Sequence, residues 1–174
     1  MKKKHTIIKH KKTKPKIQKD KTKKRRKTYK IGGSAIYDMD TGTIIKTDLT
    51  YDGNPFFRKQ YPKLIGKKDV RHIEKQIVEI LMMNPHPNIV TFYVVNDEYL
   101  DMEELDTLNT ATFNSNKPEI ISVMREVKDF LQHLGIMYID WKFDNIGKSK
   151  DGNYKLFDFD SSGIINLDTN GLVI

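Results

Sequence analysis

Apolar residues recur with two different periods along the chain, and the change of period predicts strands followed by helices. The first predicted strands are Tyr29–Gly33, Ala35–Met39 and Thr43–Thr47. A tight turn is expected at residues 40–42, so these strands read as a small antiparallel sheet. A helical pattern begins after a possible cap at Asp69 and is expected to end before Pro85. Its apolar positions are Val70, Ile73, Ile77, Ile80 and Leu81.

The second half of the chain repeats the alternation of strands and helices. Strand-like runs occur at Ile89–Val95 and Tyr99–Met102, and a second helix is predicted from Pro118 to a stop at Gly135. The inner stripe of this helix comprises Ile120, Met124, Val127, Leu131 and Leu134. The turn signal Asp151–Gly152 predicts a hairpin between Ile146–Lys148 and Tyr154–Phe157. The order of elements predicts an α+β fold.

Length and composition exclude several classes of protein. A chain of 174 residues has room for one main domain. The chain has no cysteine, which excludes disulfide scaffolds and cysteine-ligated metal sites. No apolar stretch approaches the roughly 18 residues that cross a bilayer, and the N-terminus lacks the apolar region of a secretory signal. We therefore expect an intracellular protein with no membrane partner.

The net charge of +8 hides two parts of opposite sign. The first 30 residues hold 14 Lys, 2 Arg and one acidic residue, Asp20, whereas the remainder has more acidic than basic side chains. Residues 1–28 are therefore expected to form a disordered basic arm. Such an arm suits nucleic acid, bound without sequence specificity, an acidic protein or a nuclear-import receptor. A solubilising tail, or a tail that folds back on the acidic body, explains the charge as well.

Two short segments carry the residues with the clearest chemistry. The segment Tyr138–Asn145 contains Asp140, Lys142 and Asn145, and Asp158 lies in the later run Leu156–Asp160. As isolated residues, Asp and Asn commonly mark turns between strands. In this order and spacing, with Lys142 between them, they resemble the H-R-D-L-K-x-x-N catalytic loop and the D-F-G motif of eukaryotic-type serine/threonine protein kinases.

The resemblance implies a protein-kinase-like fold and a set of cofactors. Residues 29–105 would form a nucleotide-binding lobe, with a small antiparallel sheet and one helix, and residues 106–174 a truncated helical second lobe. The implied cofactors are ATP and Mg²⁺. Asp140 would orient the substrate hydroxyl and Lys142 would neutralise charge on the transferred phosphoryl group. Asn145 and Asp158 would hold the metal.

Upstream residues extend the resemblance into the first lobe. Thr43–Lys46 resembles the V-A-I-K strand, which places Lys46 on the phosphates, and Glu74 resembles the helix glutamate that pairs with that lysine. Glu79 is the alternative glutamate. Met102 resembles the gatekeeper, and the backbone from Glu103 to Leu105 the hinge that binds adenine. The shortened turn formed by Gly32, Gly33 and Ser34 would present N–H groups to phosphate. His86, in the run His86–Val90, is expected to be structural.

The sequence also departs from the family pattern. Tyr138 and Ile139 replace the His and Arg of the catalytic loop, and Asp160 replaces the Gly of D-F-G. The chain ends at Ile174, without an activation segment or the later helices of the large lobe. The second helix should therefore expose apolar surface, which predicts a homodimer or a covering protein partner. These features resemble the small kinases of large DNA viruses.

The leading hypothesis is a minimal serine/threonine protein kinase that phosphorylates a protein substrate. One alternative is a pseudokinase-like module that binds nucleotide without transferring phosphate. The other is a nucleic-acid-associated or virion structural protein that acts through its basic arm. The expected location is the host cytoplasm or nucleus, or the virion, if the protein is viral.

Overall fold

The computed structural model describes residues 34–62, 71–166 and 171–173, without the side chains of residues 71, 166 and 171–173. All of them lie in one unit of the chain, Gly32–Ile174. The predicted strand Tyr29–Gly33, the predicted arm at residues 1–28 and the proposed cap Asp69 lie outside the described residues. The fold is α+β, as predicted.

The largest sheet occupies the first part of the described chain. Its strands are β1 (Ser34–Asp38), β2 (Thr43–Thr47), β3 (Phe56–Gln60), β4 (Phe92–Val95) and β5 (Tyr99–Glu103). Their spatial order is β2-β1-β3-β5-β4. The predicted hairpin between β1 and β2 is confirmed, with Gly42 at φ +66° in its turn. The sheet is mixed, because β1 and β3 run parallel while the other neighbours are antiparallel.

Strand β3 lies at the centre of this sheet, although the polar and apolar pattern did not predict it. Only two of its five residues, Phe56 and Phe57, are apolar. Phe56 is buried in the sheet, and Lys59 is buried as well. Arg58, in the middle of the strand, binds Asp101 on the neighbouring strand β5 with two hydrogen bonds of 2.6 and 2.7 Å. This ion pair fixes β3 against β5.

Helix α1 (Arg71–Met83) packs its apolar side against the sheet, as its spacing predicted. Ile77, Val78 and Leu81 are buried, and the helix ends two residues before Pro85. A proline cannot continue the hydrogen-bond ladder of a helix, which accounts for this end. The helix thereby covers the part of the sheet where Lys59 lies.

The second part of the described chain is built around a long helix. After β6 (Asp106–Thr107) and α2 (Thr110–Ser115), α3 runs from Lys117 to His133 with Pro118 in its first turn. The buried residues of α3 are Ile120, Met124, Val127 and Leu131. The helix stops before Gly135, whose φ of +72° is accessible to glycine at little cost. The predicted helix and four residues of its inner stripe are confirmed, whereas Leu134, the fifth, caps the helix and is half-buried.

Short strands follow α3. They are β7 (Ile136–Met137), β8 (Ile146–Lys148), β9 (Tyr154–Leu156), β10 (Gly163–Asn166) and β11 (Gly171–Val173). The β8–β9 hairpin is confirmed, and it pairs with β6 in one small sheet, while β7, β10 and β11 form another. Near the end of α3, Met137, Ile139 and Trp141 expose between 38% and 57% of their surface. No helix within the described ranges is long and apolar enough to span a bilayer.

Candidate active site

A buried ion pair connects the sheet to helix α1. The ammonium Nζ of Lys59, on β3, donates a hydrogen bond of 2.8 Å to Oε1 of Glu74 in the first turn of α1. Both side chains are more than nine-tenths buried. Glu74 is therefore the glutamate that pairs with the strand lysine, whereas Glu79 is not in this contact. Removing either partner would leave an uncompensated buried charge, which is strongly destabilising.

The prediction that Lys46 is this lysine is wrong. Lys46 lies on β2, at the edge of the sheet, and its side chain is 42% exposed. Its Nζ is 3.4 Å from Oε1 of Glu104 rather than beside Glu74. Sequence reasoning missed Lys59 because Arg58, Lys59 and Gln60 look like a polar loop. The available signal was Phe56–Phe57 directly after Gly53, Asn54 and Pro55, a pair of strand-forming residues after a turn.

Two further carboxylates contact Lys59. Oδ1 of Asp158 lies 3.0 Å from Nζ, and Oδ2 of Asp160 lies 3.2 Å from it. Burial by itself lowers the pKa of Lys59, but the negative charges of Glu74, Asp158 and Asp160 outweigh it and raise the pKa above its ordinary value. Lys59 is therefore held as a cation at neutral pH.

Asp158 follows β9 and has an unusual backbone conformation. Its φ is +63°, in the left-handed region that L-residues seldom adopt. The flanking residues hold it there, because the Phe157 N–H donates to the Asn145 carbonyl at 3.0 Å and Phe159 is fully buried. This conformation places the Asp158 carboxylate on Lys59 while its side chain stays 32% exposed.

Asp140, Lys142 and Asn145 form a second cluster after β7. Nζ of Lys142 lies 2.5 Å from Oδ2 of Asp140, and Nδ2 of Asn145 donates to the same oxygen at 2.9 Å. The bond from Lys142, followed by the bond from Asn145, lowers the pKa of Asp140. The carboxylate of Asp140 is consequently ionised at neutral pH and able to accept a proton or a hydrogen bond.

Tyr138 joins the two clusters. Its hydroxyl donates to the Phe157 carbonyl at 3.0 Å and accepts from Nδ2 of Asn145 at 3.0 Å. Its ring meets the ring of Phe159 edge-on, with centroids 5.2 Å apart. Burial raises the pKa of Tyr138 above its ordinary value, so the hydroxyl keeps its proton and remains a donor. Tyr138, which replaces the His of the catalytic loop, thus links Asn145 to the segment that carries Asp158.

Asn145 and Asp158 have oxygen atoms that suit a magnesium ion. The hydrogen bonds of the Asn145 amide all use Nδ2, so its Oδ1 accepts none from the described part of the chain. Asp158 binds Lys59 through Oδ1, which leaves Oδ2 for another ligand. Within residues 34–62, 71–166 and 171–173, no three His, Cys, Asp or Glu side chains are grouped to hold a metal ion. Two oxygen ligands still fit magnesium, which commonly binds few protein groups together with phosphates and water.

The residues predicted to contact adenine lie at the end of β5. Met102 is buried in the core, and Oε1 of Glu103 accepts from the Thr91 N–H at 2.7 Å. Leu105 packs against Gly147, where an added Cβ would lie 2.6 Å from the Leu105 Cβ. These contacts hold the segment between the two parts of the fold in place. Adenine binding by Glu103–Leu105 and by the Met102 region stays a prediction.

The predicted glycine turn is only partly described. Gly32 and Gly33 lie outside the described residues. Ser34 is fully buried at the start of β1, where its hydroxyl accepts from the Phe56 N–H at 2.8 Å and donates to the Leu49 carbonyl. The Ser34 hydroxyl therefore supports the sheet, and the contact of the Ser34 N–H with phosphate stays a prediction.

The segment His86–Val90 forms backbone hydrogen bonds with the end of β9. The Leu156 N–H donates to the Asn88 carbonyl and the Val90 N–H to the Leu156 carbonyl, both at 2.9 Å. Nδ1 of His86 accepts from the Asn88 N–H, and its ring packs on Phe130 with centroids 4.6 Å apart. Burial lowers the pKa of His86, which favours the neutral ring. These contacts agree with the structural role expected for His86.

Comparisons with known proteins point in the same direction as the geometry. No protein-family model matches the chain. The chain is 40% identical over 110 residues to serine/threonine-protein kinase ste20 of Emericella nidulans, 38% over 110 residues to pakA of Talaromyces marneffei, and 33% over 111 residues to pak-2 of Caenorhabditis elegans.

Each match covers only part of both proteins. The matched region is 54 to 57% of this chain and 13 to 21% of those relatives, so the chain spans a small fraction of the length of the curated relatives it matches. Over about half its length, the chain is therefore similar to serine/threonine protein kinases.

Proposed function

We propose that the described residues form the nucleotide-binding and catalytic part of a serine/threonine protein kinase. The observation that carries this proposal is the contact of one buried ammonium, Lys59, with both Glu74 and Asp158. This contact joins the sheet, helix α1 and the segment after β9. Phosphoryl transfer needs cations and metal ligands held in one place, and the relatives named above are serine/threonine protein kinases.

Mg·ATP would supply the transferable phosphoryl group and the divalent charge that stabilises it. Lys59 would bind phosphate oxygens, and Glu74 would keep its ammonium in position. Asn145 and Asp158 would hold the magnesium ion through the oxygen atoms that their hydrogen bonds leave available.

Asp140 and Lys142 would act on the acceptor hydroxyl and the phosphoryl group. Asp140 is ionised and its side chain is one-third exposed, so it is able to accept the proton of a serine or threonine hydroxyl. Lys142 is half-exposed, and its contact with Asp140 holds its charge beside that carboxylate. The lysine two positions after the catalytic aspartate is the pattern of the serine/threonine branch.

The test is transfer of the γ-phosphate of labelled ATP to protein by the full chain. Asp140→Asn removes the proton acceptor with little change in shape, so we expect the rate to fall at least about 100-fold. Asp151→Asn, in the exposed turn between β8 and β9, is the matched control and should retain the wild-type rate. Equal rates for wild type and Asp140→Asn would refute the assignment of Asp140.

Binding measurements beside this assay separate the alternative functions. Binding of ATP without transfer by the wild-type chain would favour a pseudokinase-like module. Binding of DNA or RNA that weakens steeply with salt, and disappears when residues 1–28 are deleted, would favour a role of the basic arm with nucleic acid. The homodimer or covering partner, the viral origin and the cellular location all stay predictions.

A further inference from the structure

The ammonium of Lys59 has no hydrogen-bond donor left for a phosphate. A lysine ammonium carries three N–H groups. Nζ contacts three carboxylate oxygens, from Glu74, Asp158 and Asp160, at 2.8, 3.0 and 3.2 Å. Each donor thus has one carboxylate partner, and an oxygen of another group can bind Lys59 only where one of these partners leaves.

Asp160 is the partner most easily displaced. Its side chain is 42% exposed, against 32% for Asp158 and 3% for Glu74, and its contact with Lys59 is the longest of the three. Among the described residues, its other oxygen, Oδ1, accepts only from the neighbouring Ser161 hydroxyl, at 3.0 Å. Exposed ion pairs contribute little to stability because water screens them and competes for both groups.

We infer that Asp160 occupies the position on Lys59 that a phosphate group of the nucleotide takes, and that it must leave for the nucleotide to bind. This inference rests on the proposed function. A phosphate oxygen is an anionic acceptor like the carboxylate it replaces, so the exchange conserves the hydrogen bond.

The negative charges around Lys59 also oppose the binding of a phosphate group. The three carboxylates outnumber the single ammonium, so the cluster repels an anionic ligand in the absence of a divalent cation. Removal of the Asp160 charge weakens this repulsion and leaves at most a neutral acceptor on Lys59, which a phosphate oxygen displaces more easily. Both effects favour phosphate binding, which makes Asp160 a carboxylate that opposes nucleotide binding.

The experiment measures ATP binding by titration calorimetry on the full chain, with EDTA and then with Mg²⁺. Asp160→Asn keeps the size of the side chain and removes its charge, and Asp151→Asn, an exposed turn residue away from Lys59, is the control for net charge. We expect Asp160→Asn to lower the Kd for ATP about three- to ten-fold in EDTA, from the loss of one exposed ion pair and one like charge. Asp151→Asn should leave the Kd unchanged.

Two probes locate the effect, one that lacks adenosine and one that lacks phosphate. Inorganic triphosphate should bind more tightly to Asp160→Asn by a similar factor, whereas adenosine should bind both proteins equally. An unchanged or weaker affinity of Asp160→Asn for ATP in EDTA would overturn the inference, as would a changed affinity for adenosine. If ATP binds wild type and Asp160→Asn equally well, the inference fails and nucleotide binding stands. If neither protein binds ATP or triphosphate with or without Mg²⁺, the proposed function fails and the inference fails with it.

Discussion

Removal of the Tyr138 hydroxyl tests whether this residue links the two clusters of the site. In Tyr138→Phe, the ring keeps its edge-on contacts with Phe159 and Trp141, so packing changes little. The Phe157 carbonyl loses its hydrogen bond from the hydroxyl. Nδ2 of Asn145 loses one acceptor and keeps two, both on Asp140.

The expected loss of stability follows from the hydrogen bonds that Tyr138→Phe removes. One partly buried carbonyl is left unpaired, which costs about 1–2 kcal/mol of unfolding free energy. For a chain of this size, such a loss lowers the melting temperature by roughly 3–6 °C. Tyr138 makes two hydrogen bonds, but Asn145 keeps its bonds to Asp140 when the hydroxyl is removed. The loss of unfolding free energy should therefore correspond to one unpaired group rather than two.

The assay is urea unfolding of wild type and Tyr138→Phe, with Tyr154→Phe as the matched control. The ring of Tyr154 is equally buried, and its hydroxyl makes no hydrogen bond with the described residues. We expect Tyr154→Phe to change the unfolding free energy by less than about 0.5 kcal/mol. Equal effects of the two substitutions, or an unchanged stability of Tyr138→Phe, would refute the assignment of these hydrogen bonds.

Three further substitutions test other contacts. Lys59→Met should abolish ATP binding in calorimetry, whereas Lys46→Met, on the exposed edge strand, should preserve it; the reverse result would restore the original prediction for the strand lysine. Arg58→Met leaves the fully buried Asp101 carboxylate without its cation, so urea unfolding should show a loss of about 3 kcal/mol or more. Gly147→Ala forces a Cβ into a neighbouring side chain, and thermal unfolding should show a loss of about 1–3 kcal/mol, while an unchanged melting temperature would contradict the close packing there.

The pair formed by Arg58 and Asp101 shows why the lysine was assigned to the wrong strand. The two residues lie 43 positions apart, and only the neighbouring positions of β3 and β5 bring them together. Once Asp101 compensates the charge of Arg58, a strand with two adjacent cations is tolerated at the centre of a sheet. The sequence pattern of Phe56–Gln60 carries no sign of that partner, whereas the resemblance of Thr43–Lys46 to the V-A-I-K strand favours Lys46.

Local features of the sequence were sufficient for the elements whose contacts are local. The stripe of α3, its stop at Gly135 and the turn of the β8–β9 hairpin depend on residues a few positions apart, and all three agree with the structure. The grouping of Asp140 with Asn145 is of the same kind, since five positions separate them. Short-range spacing constrains such contacts because the chain between the residues is too short to allow many alternatives.

By itself, the sequence determined the α+β order of elements, the charge asymmetry and the residue types of the candidate site. Only the tertiary structure decided that Lys59 is the lysine of the site and that Asp160, 101 positions away, shares it with Glu74 and Asp158. The physical reason is that these contacts depend on the order of strands in the sheet and on the helix packed against it. The contacts matter for stability because Lys59 is buried, and a cation removed from water needs the carboxylates that the fold places around it.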